Sequence, residues 1–259
     1  MKLKKFVPFI PVVALGVATG LFACAHTSAD RAEKTDSSAI ADSASIAESQ
    51  RQHLLQLHED SIAVAKADSL TRYSRLTDAD FKLVADELDI EVAAMKAVVI
   101  IEAGEKMEGF AAPGIPIVNF DASMWKKFGT KGSGKGDPNA TVPKGISGHA
   151  LKEWTQLTNA RKKNVDGANM STFWGMFQIG GFNYKKCDCN SVSEFVERMS
   201  YSELEQLELF ARFITNSGMV NDIKNKNWAA FARKYNGPNY AKRGYHTKMA
   251  RAYQKFKKK

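Results

Sequence analysis

Three cysteines in 259 residues are too few for a disulfide-built scaffold, and no spacing of Cys and His suggests a zinc site. Cys187 and Cys189 stand too close together for an easy mutual disulfide and read as buried or free thiols. The chain has no Gly-x-Ser-x-Gly elbow and no His-Glu-x-x-His helix, which removes two common hydrolase signatures. One stretch, Gly129 to Gly136, imitates a phosphate cradle. It carries Gly136 where Ser or Thr would hold magnesium, and no apolar strand feeds it. No metal or cofactor is expected. Acidic residues are also short, 28 against 37 Lys and Arg. With 44% hydrophobic and 25% charged residues, the composition excludes disorder throughout, collagen and coiled coil.

What is present begins at the amino end. Lys2, Lys4 and Lys5 precede an uncharged apolar run from Phe6 to Phe22, which ends at Leu21-Phe22-Ala23-Cys24. That order predicts a secretory leader over 1–24, and its end resembles a lipobox with Cys24 as the lipidated residue of a bacterial lipoprotein. A signal peptide cut elsewhere and an uncleaved anchor are the alternatives, although Pro8 and Pro11 disfavour a spanning helix. The expected location is the cell envelope, lipid-anchored, on the outer-membrane or periplasmic side. Residues 25–75 start with Ser, Ala, Asp, Glu and Thr and no aromatic, and become helix-friendly after Arg51. They read as a tether, loose and then partly helical.

Three of the basic residues lie in the leader, and 25–75 hold six basic against eight acidic groups. Residues 76–259 therefore carry 28 basic against 20 acidic, and the positive excess belongs to this domain. Such a surface suits an anionic wall or membrane, or serves solubility alone. Nucleic acid draws the same charge, but an exported protein rarely meets it, so no nucleic-acid partner is expected.

Order begins at Leu76. Thr77 with Asp80 three residues on predicts a capped helix to about Leu88. Ile90 to Glu102 is apolar almost all round, which predicts a core helix stopped at Gly104. Pro113, Gly114 and Pro116 signal turns before a short strand, Ile117 to Phe120. Lys126 to Gly148 reads as a long flexible Gly/Lys loop. Helices follow over Ala150 to Lys163, in pieces after Phe182, then Ser202 to Asn216, Trp228 to Tyr235 and Lys248 to the end. The fold class is mainly α with a small β part.

Glu102 is the carboxylate placed at the end of the apolar helix. Burial there disfavours its charged form, raises its pKa and lets it donate a proton near neutrality, as cleavage of a glycosidic bond requires. A glutamate merely emerging into water is the alternative. Two later segments bear on this: Trp174-Gly-Met-Phe-Gln178-Ile179 and Ala232-Arg-Lys-Tyr235-Asn236-Gly237-Pro238. With Glu102-Ala-Gly104 they resemble the lysozyme-like superfamily, and the chain is most similar to the N-acetylmuramidase family of phage endolysins. The likeness spans about residues 76–254, through "LTDADF", "WGMFQIGGFNYKKC", "EQLELFARFI" and "WAAFARKYNGPNYAKRGYHTKMARAY".

That resemblance implies a lysozyme-like fold over 76–259 and cleavage of the β-1,4 bond between N-acetylmuramic acid and N-acetylglucosamine. It implies Glu102 as the catalytic acid, with Gln178, Tyr235 and Asn236 lining the cleft. Trp174 is the expected platform for a sugar face, with core packing the alternative for it and for Tyr235, and Tyr240 is either groove wall or packing. The family usually carries Phe-Glu-x-His in its β part, where this chain has Phe120-Asp121-Ala122-Ser123. Asp121 keeps a carboxylate that can stabilise the cation or orient water. A lytic transglycosylase and a non-catalytic peptidoglycan-binding lipoprotein are the competing expectations.

Overall fold

The computed structural model describes residues 49, 51–53, 56, 73–104, 106–130 and 134–258. The leader, Cys24 and most of the tether lie outside the described residues. The chain divides into two compact units, Met1–Ala67 and Asp68–Lys259. The second unit is mainly helical, with two small antiparallel sheets.

Helix α1 spans Asp78–Glu87, and its start is the capping box expected from sequence. The Asp80 amide donates to Thr77 Oγ1 at 3.3 Å while the Thr77 amide donates to Asp80 Oδ2 at 2.7 Å, which satisfies two otherwise orphaned donors. Helix α2, Val92–Glu102, buries Ala94, Met95, Ala97, Val98 and Val99 and is the core element the apolar run predicts. It packs chiefly against the last long helix, α10, Tyr245–Lys257, and also against α1. Gly104 takes φ +79°, a left-handed conformation that ends the helix and costs glycine little.

The chain then makes a hairpin of β1, Phe110–Ala112, and β2, Ile115–Pro116. Strand β3, Val118–Phe120, joins a separate three-stranded antiparallel sheet in the order β3–β4–β5. Strands β4, Thr172–Trp174, and β5, Ile179–Gly180, are its other members, with Val118 opposite Trp174 and Phe173 opposite Gly180. Between β3 and β4 lie α3, Ala122–Phe128, α4, Gly148–Arg161, and α5, Val165–Met170.

The expected flexible loop over Lys126–Gly148 requires correction. Lys126, Lys127 and Phe128 are the last turn of α3, and residues 134–137 are pinned to the body. The Val165 amide donates to Lys135 O at 3.1 Å, and the Asp137 amide to Arg161 O at 3.0 Å. A Cβ at Gly136 would lie 2.2 Å from Lys162 O, so the glycines here permit close backbone approach rather than freedom.

A 3-10 helix, Gly181–Cys187, leads to α6, Val192–Met199, then α7, Glu203–Asn216, α8, Val220–Lys224, and α9, Trp228–Asn236. A short 3-10 helix, Pro238–Tyr240, precedes α10. The core is filled by Phe177, Phe195, Phe210, Phe231, Leu207 and Met95. Cys187 and Cys189 are both free and buried, as expected. Burial pushes the Cys189 thiol up to about 11 and Cys187 higher still, so both are inert at neutral pH.

Candidate active site

Helix α2 delivers Glu102 as its last residue, with an apolar body behind it and partial exposure in front. Burial raises its carboxyl from the ordinary 4.5 to about 7, against a hydrogen bond from Asn236 that lowers it. Asn236 Nδ2 donates to Glu102 Oε1 at 2.9 Å. Among the described residues no cation pairs with Glu102, so its carboxyl stays partly protonated at neutral pH.

Tyr235 and Asn236 end helix α9, and the two side chains reach different parts of the site. The Tyr235 ring stacks on Phe231 at 5.5 Å and meets Phe210 and Phe213 edge-on. Its hydroxyl donates to Phe177 O at 2.8 Å. Burial holds that phenol well above its usual range, so it acts here as a neutral donor. One dipeptide thus clamps both the acid and the backbone beside Gln178.

Gln178 has φ +49°, rare for a residue with a side chain. Its Nε2 donates to Gly175 O at 2.8 Å, closing a tight turn between β4 and β5. Such strain persists only where the surroundings impose it, and it gathers at functional sites. Gly175 is required twice: it takes φ +68°, and a Cβ there would sit 2.7 Å from Gln206 Oε1.

Gln206 is one of two site residues that sequence reasoning missed. It is fully buried in α7, accepts from the Met176 amide at 2.7 Å, and donates to Gly109 O and Met199 O. One turn earlier, Glu203 Oε1 accepts from the Gly109 amide at 3.0 Å and Oε2 from the Leu76 amide at 3.0 Å. Arg75 Nη1 lies 3.3 Å from Glu203 Oε1. This pair ties the segment after Glu102 to the Gln178 turn. The available signal was polar side chains at i and i+3 on the face of α7 that also carries Leu207 and Phe210.

Three expected site residues have partners of their own in the structure. Trp174 is fully buried, edge-on to Trp154 at 6.0 Å, with Nε1 donating to Asn169 O at 3.0 Å. No face is open to a sugar, and its role is packing. Asp121 is the N-cap of α3: its Oδ1 accepts from the Ser123 amide at 2.7 Å, Ser123 Oγ at 2.5 Å and the Met124 amide at 3.0 Å. The Ser123 hydroxyl first, then the Met124 amide, hold its carboxyl below the usual range. Tyr240 meets His246 edge-on at 5.3 Å and lies under the Arg233 guanidinium.

The site is therefore a buried proton donor with a neutral amide beside it, next to a strained turn that presents another amide. It suits a neutral, hydroxyl- and amide-bearing substrate whose leaving oxygen must be protonated. Residues 91–257 match the N-acetylmuramidase family. The chain is also similar to the endolysin of Burkholderia phage AP3, seen in a crystal structure. The two share 33% sequence identity with a TM-score of 0.60, over 71% of this chain and 71% of that one. No curated protein matches the chain.

Proposed function

This chain belongs to the N-acetylmuramidase family, and we propose that it cuts the β-1,4 bond between N-acetylmuramic acid and N-acetylglucosamine, with Glu102 as general acid. It is a peptidoglycan hydrolase with a lysozyme-like fold. The observation that carries the proposal is the Glu102 carboxyl itself, raised to about 7 by burial and hydrogen-bonded only to an amide among the described residues. A proton held there passes to the glycosidic oxygen as positive charge develops on the sugar ring. Gln178 and Asn236 have amide oxygens left to receive substrate hydroxyl or acetamido donors.

A second reading is favoured by Asp121. Its carboxylate is engaged in capping α3, and the acid's own partner is neutral. A site with one free carboxyl group also suits lytic transglycosylation, in which the muramyl 6-hydroxyl attacks instead of water. Mass analysis of peptidoglycan digested by the full chain, beside Glu102→Gln, separates the two. Reducing muramyl ends that vanish in the variant support hydrolysis, and anhydromuramyl ends support the lytic route. No glycan cleavage leaves a wall-binding protein.

The proposal extends to location: export, and attachment to the envelope by lipid at Cys24, so that a basic domain meets an anionic wall. Loss of membrane fractionation in Cys24→Ser is the expected outcome, and unchanged fractionation contradicts it.

A further inference from the structure

A cavity of about 480 Å³ opens between the 137–141 segment, the end of α4 and helices α5 and α6. None of its lining residues belongs to the site around Glu102. Arg161, Asn169, Asp137, Asn139, Thr141 and Glu197 supply its polar wall. Its volume falls within the range of small-ligand sites.

Arg161 is the unusual member. Its guanidinium lies 5.4 Å from the Trp154 ring centroid and 5.5 Å from that of Trp174, two indoles set nearly perpendicular. Nε donates to Asn169 Oδ1 at 2.9 Å. Burial draws its pKa down to about 10, with Asp137 opposing the shift, so it is still a cation at neutral pH. Among the described residues no carboxylate lies within ion-pair distance of it. Charges held partly out of water are ordinarily paired, and this one is half-buried with the Asp137 charge acting on it from beyond ion-pair distance. The Nη edge of a guanidinium held in place forms a fork that matches a carboxylate. Asp137 and Glu197 in the same wall suit an ammonium group.

We propose that this cavity binds a short zwitterionic peptide, its carboxylate on Arg161 and its ammonium group toward Asp137 and Glu197. The source of such a peptide rests on the muramidase reading, because peptidoglycan glycans carry short peptides rich in free carboxyl and amino groups. Strand β4 touches a lining residue of the cavity at one end and the Gln178 turn at the other. Trp174 bonds Asn169 on the cavity side, and the next residue, Gly175, holds Gln178.

The test is calorimetric titration of the full chain with the free tetrapeptide of alanine, glutamate, diaminopimelate and alanine, and with the same peptide amidated at its carboxyl groups. Saturable binding is expected, weakened at least about tenfold by amidation, since a charge-assisted fork is lost. Arg161→Gln should weaken it equally. Because that change can loosen the indole pair, Ser193→Trp is the second variant; it fills the cavity from an exposed position on its rim. It should abolish peptide binding and leave cleavage of peptide-free glycan unchanged. No binding, equal binding of the amidated peptide, or undiminished binding to Ser193→Trp overturns the proposal. Cleavage of peptide-free glycan without peptide binding overturns the cavity alone. Peptide binding without glycan cleavage upholds the cavity and overturns the reading of Glu102.

Discussion

Two carboxyl groups in this molecule, Glu102 and Glu208, are both raised to about 7 by burial, yet their surroundings differ in kind. Glu208 sits inside α7, 7% exposed, with Arg198 Nη2 at 3.6 Å and Glu205 sharing the same guanidinium. The Glu205 charge pushes it up further, while Arg198 and Arg212 pull it down. Among the described residues Glu102 is hydrogen-bonded only to an amide, and it has an open side. A raised pKa is what burial does to any carboxyl, and it points only probabilistically to function. The acid able to act is the one whose proton has somewhere to go and whose anion meets no standing cation.

Removing each carboxyl sharpens the contrast. Glu102→Gln should lower glycan cleavage by at least about 100-fold, the lower bound for a lost general acid, in a reducing-end assay. Stability should be preserved or improved above pH 7. A carboxyl raised by folding binds its proton more tightly folded than unfolded, so ionising it between 4.5 and about 7 costs stability as pH rises. The amide removes that cost. Unreduced cleavage would break the comparison at its first member.

Gln206→Leu comes next, because it leaves the Met176 amide and the Met199 carbonyl buried without partners at about 1–3 kcal/mol each, while the Gly109 carbonyl keeps the Ile117 amide. Displacement of the Gln178 turn should cost at least about tenfold in turnover. Chemical denaturation and initial rates read the two effects. Asn236→Ala removes a bond that favours ionised Glu102, and hydrogen bonds to charged groups are worth about 1.5–3 kcal/mol. The alkaline limb of the pH–rate profile should therefore move up by about one unit. A downward move would mean that Asn236 supports the protonated form.

Asp121→Ala should cost about 1 kcal/mol as a lost helix cap, with Asp121→Asn nearly neutral because the acceptor remains. A collapse of turnover in Asp121→Asn, with stability intact, would restore Asp121 as a second catalytic carboxylate. Glu208→Gln should leave cleavage unchanged and cost less than the about 3–5 kcal/mol of a broken buried pair, because Arg198 keeps Glu205.

Much of this was legible from local chemistry. Thr77 and Asp80 announced α1 because a capping box is written in four residues, and the apolar run before Glu102 announced a core helix. The segments not foreseen are those whose structure comes from elsewhere in the chain. Helix α5, Val-Asp-Gly-Ala-Asn-Met, has poor helix formers and holds through Asn164 at its start and burial of Gly167 and Ala168. Strands β4 and β5 are three and two residues long and exist through pairing across the sheet. In the site, Glu102 and Asn236 were recognisable and do meet. Trp174 was not separable from a sugar platform by sequence, because an aromatic beside a site motif reads alike whether its face is open or packed. Glu203 and Gln206 act through contacts 94 and 97 residues away in sequence, which local pattern does not reveal.

The most direct measurement is the titration of the Glu102 carboxyl carbon by NMR, assigned by its loss in Glu102→Gln and separated from Glu208 by Glu208→Gln. The account predicts a Glu102 midpoint of about 7 that coincides with the alkaline limb of glycan cleavage. A midpoint near the ordinary 4.5 in an enzyme that cuts normally at neutral pH would contradict it.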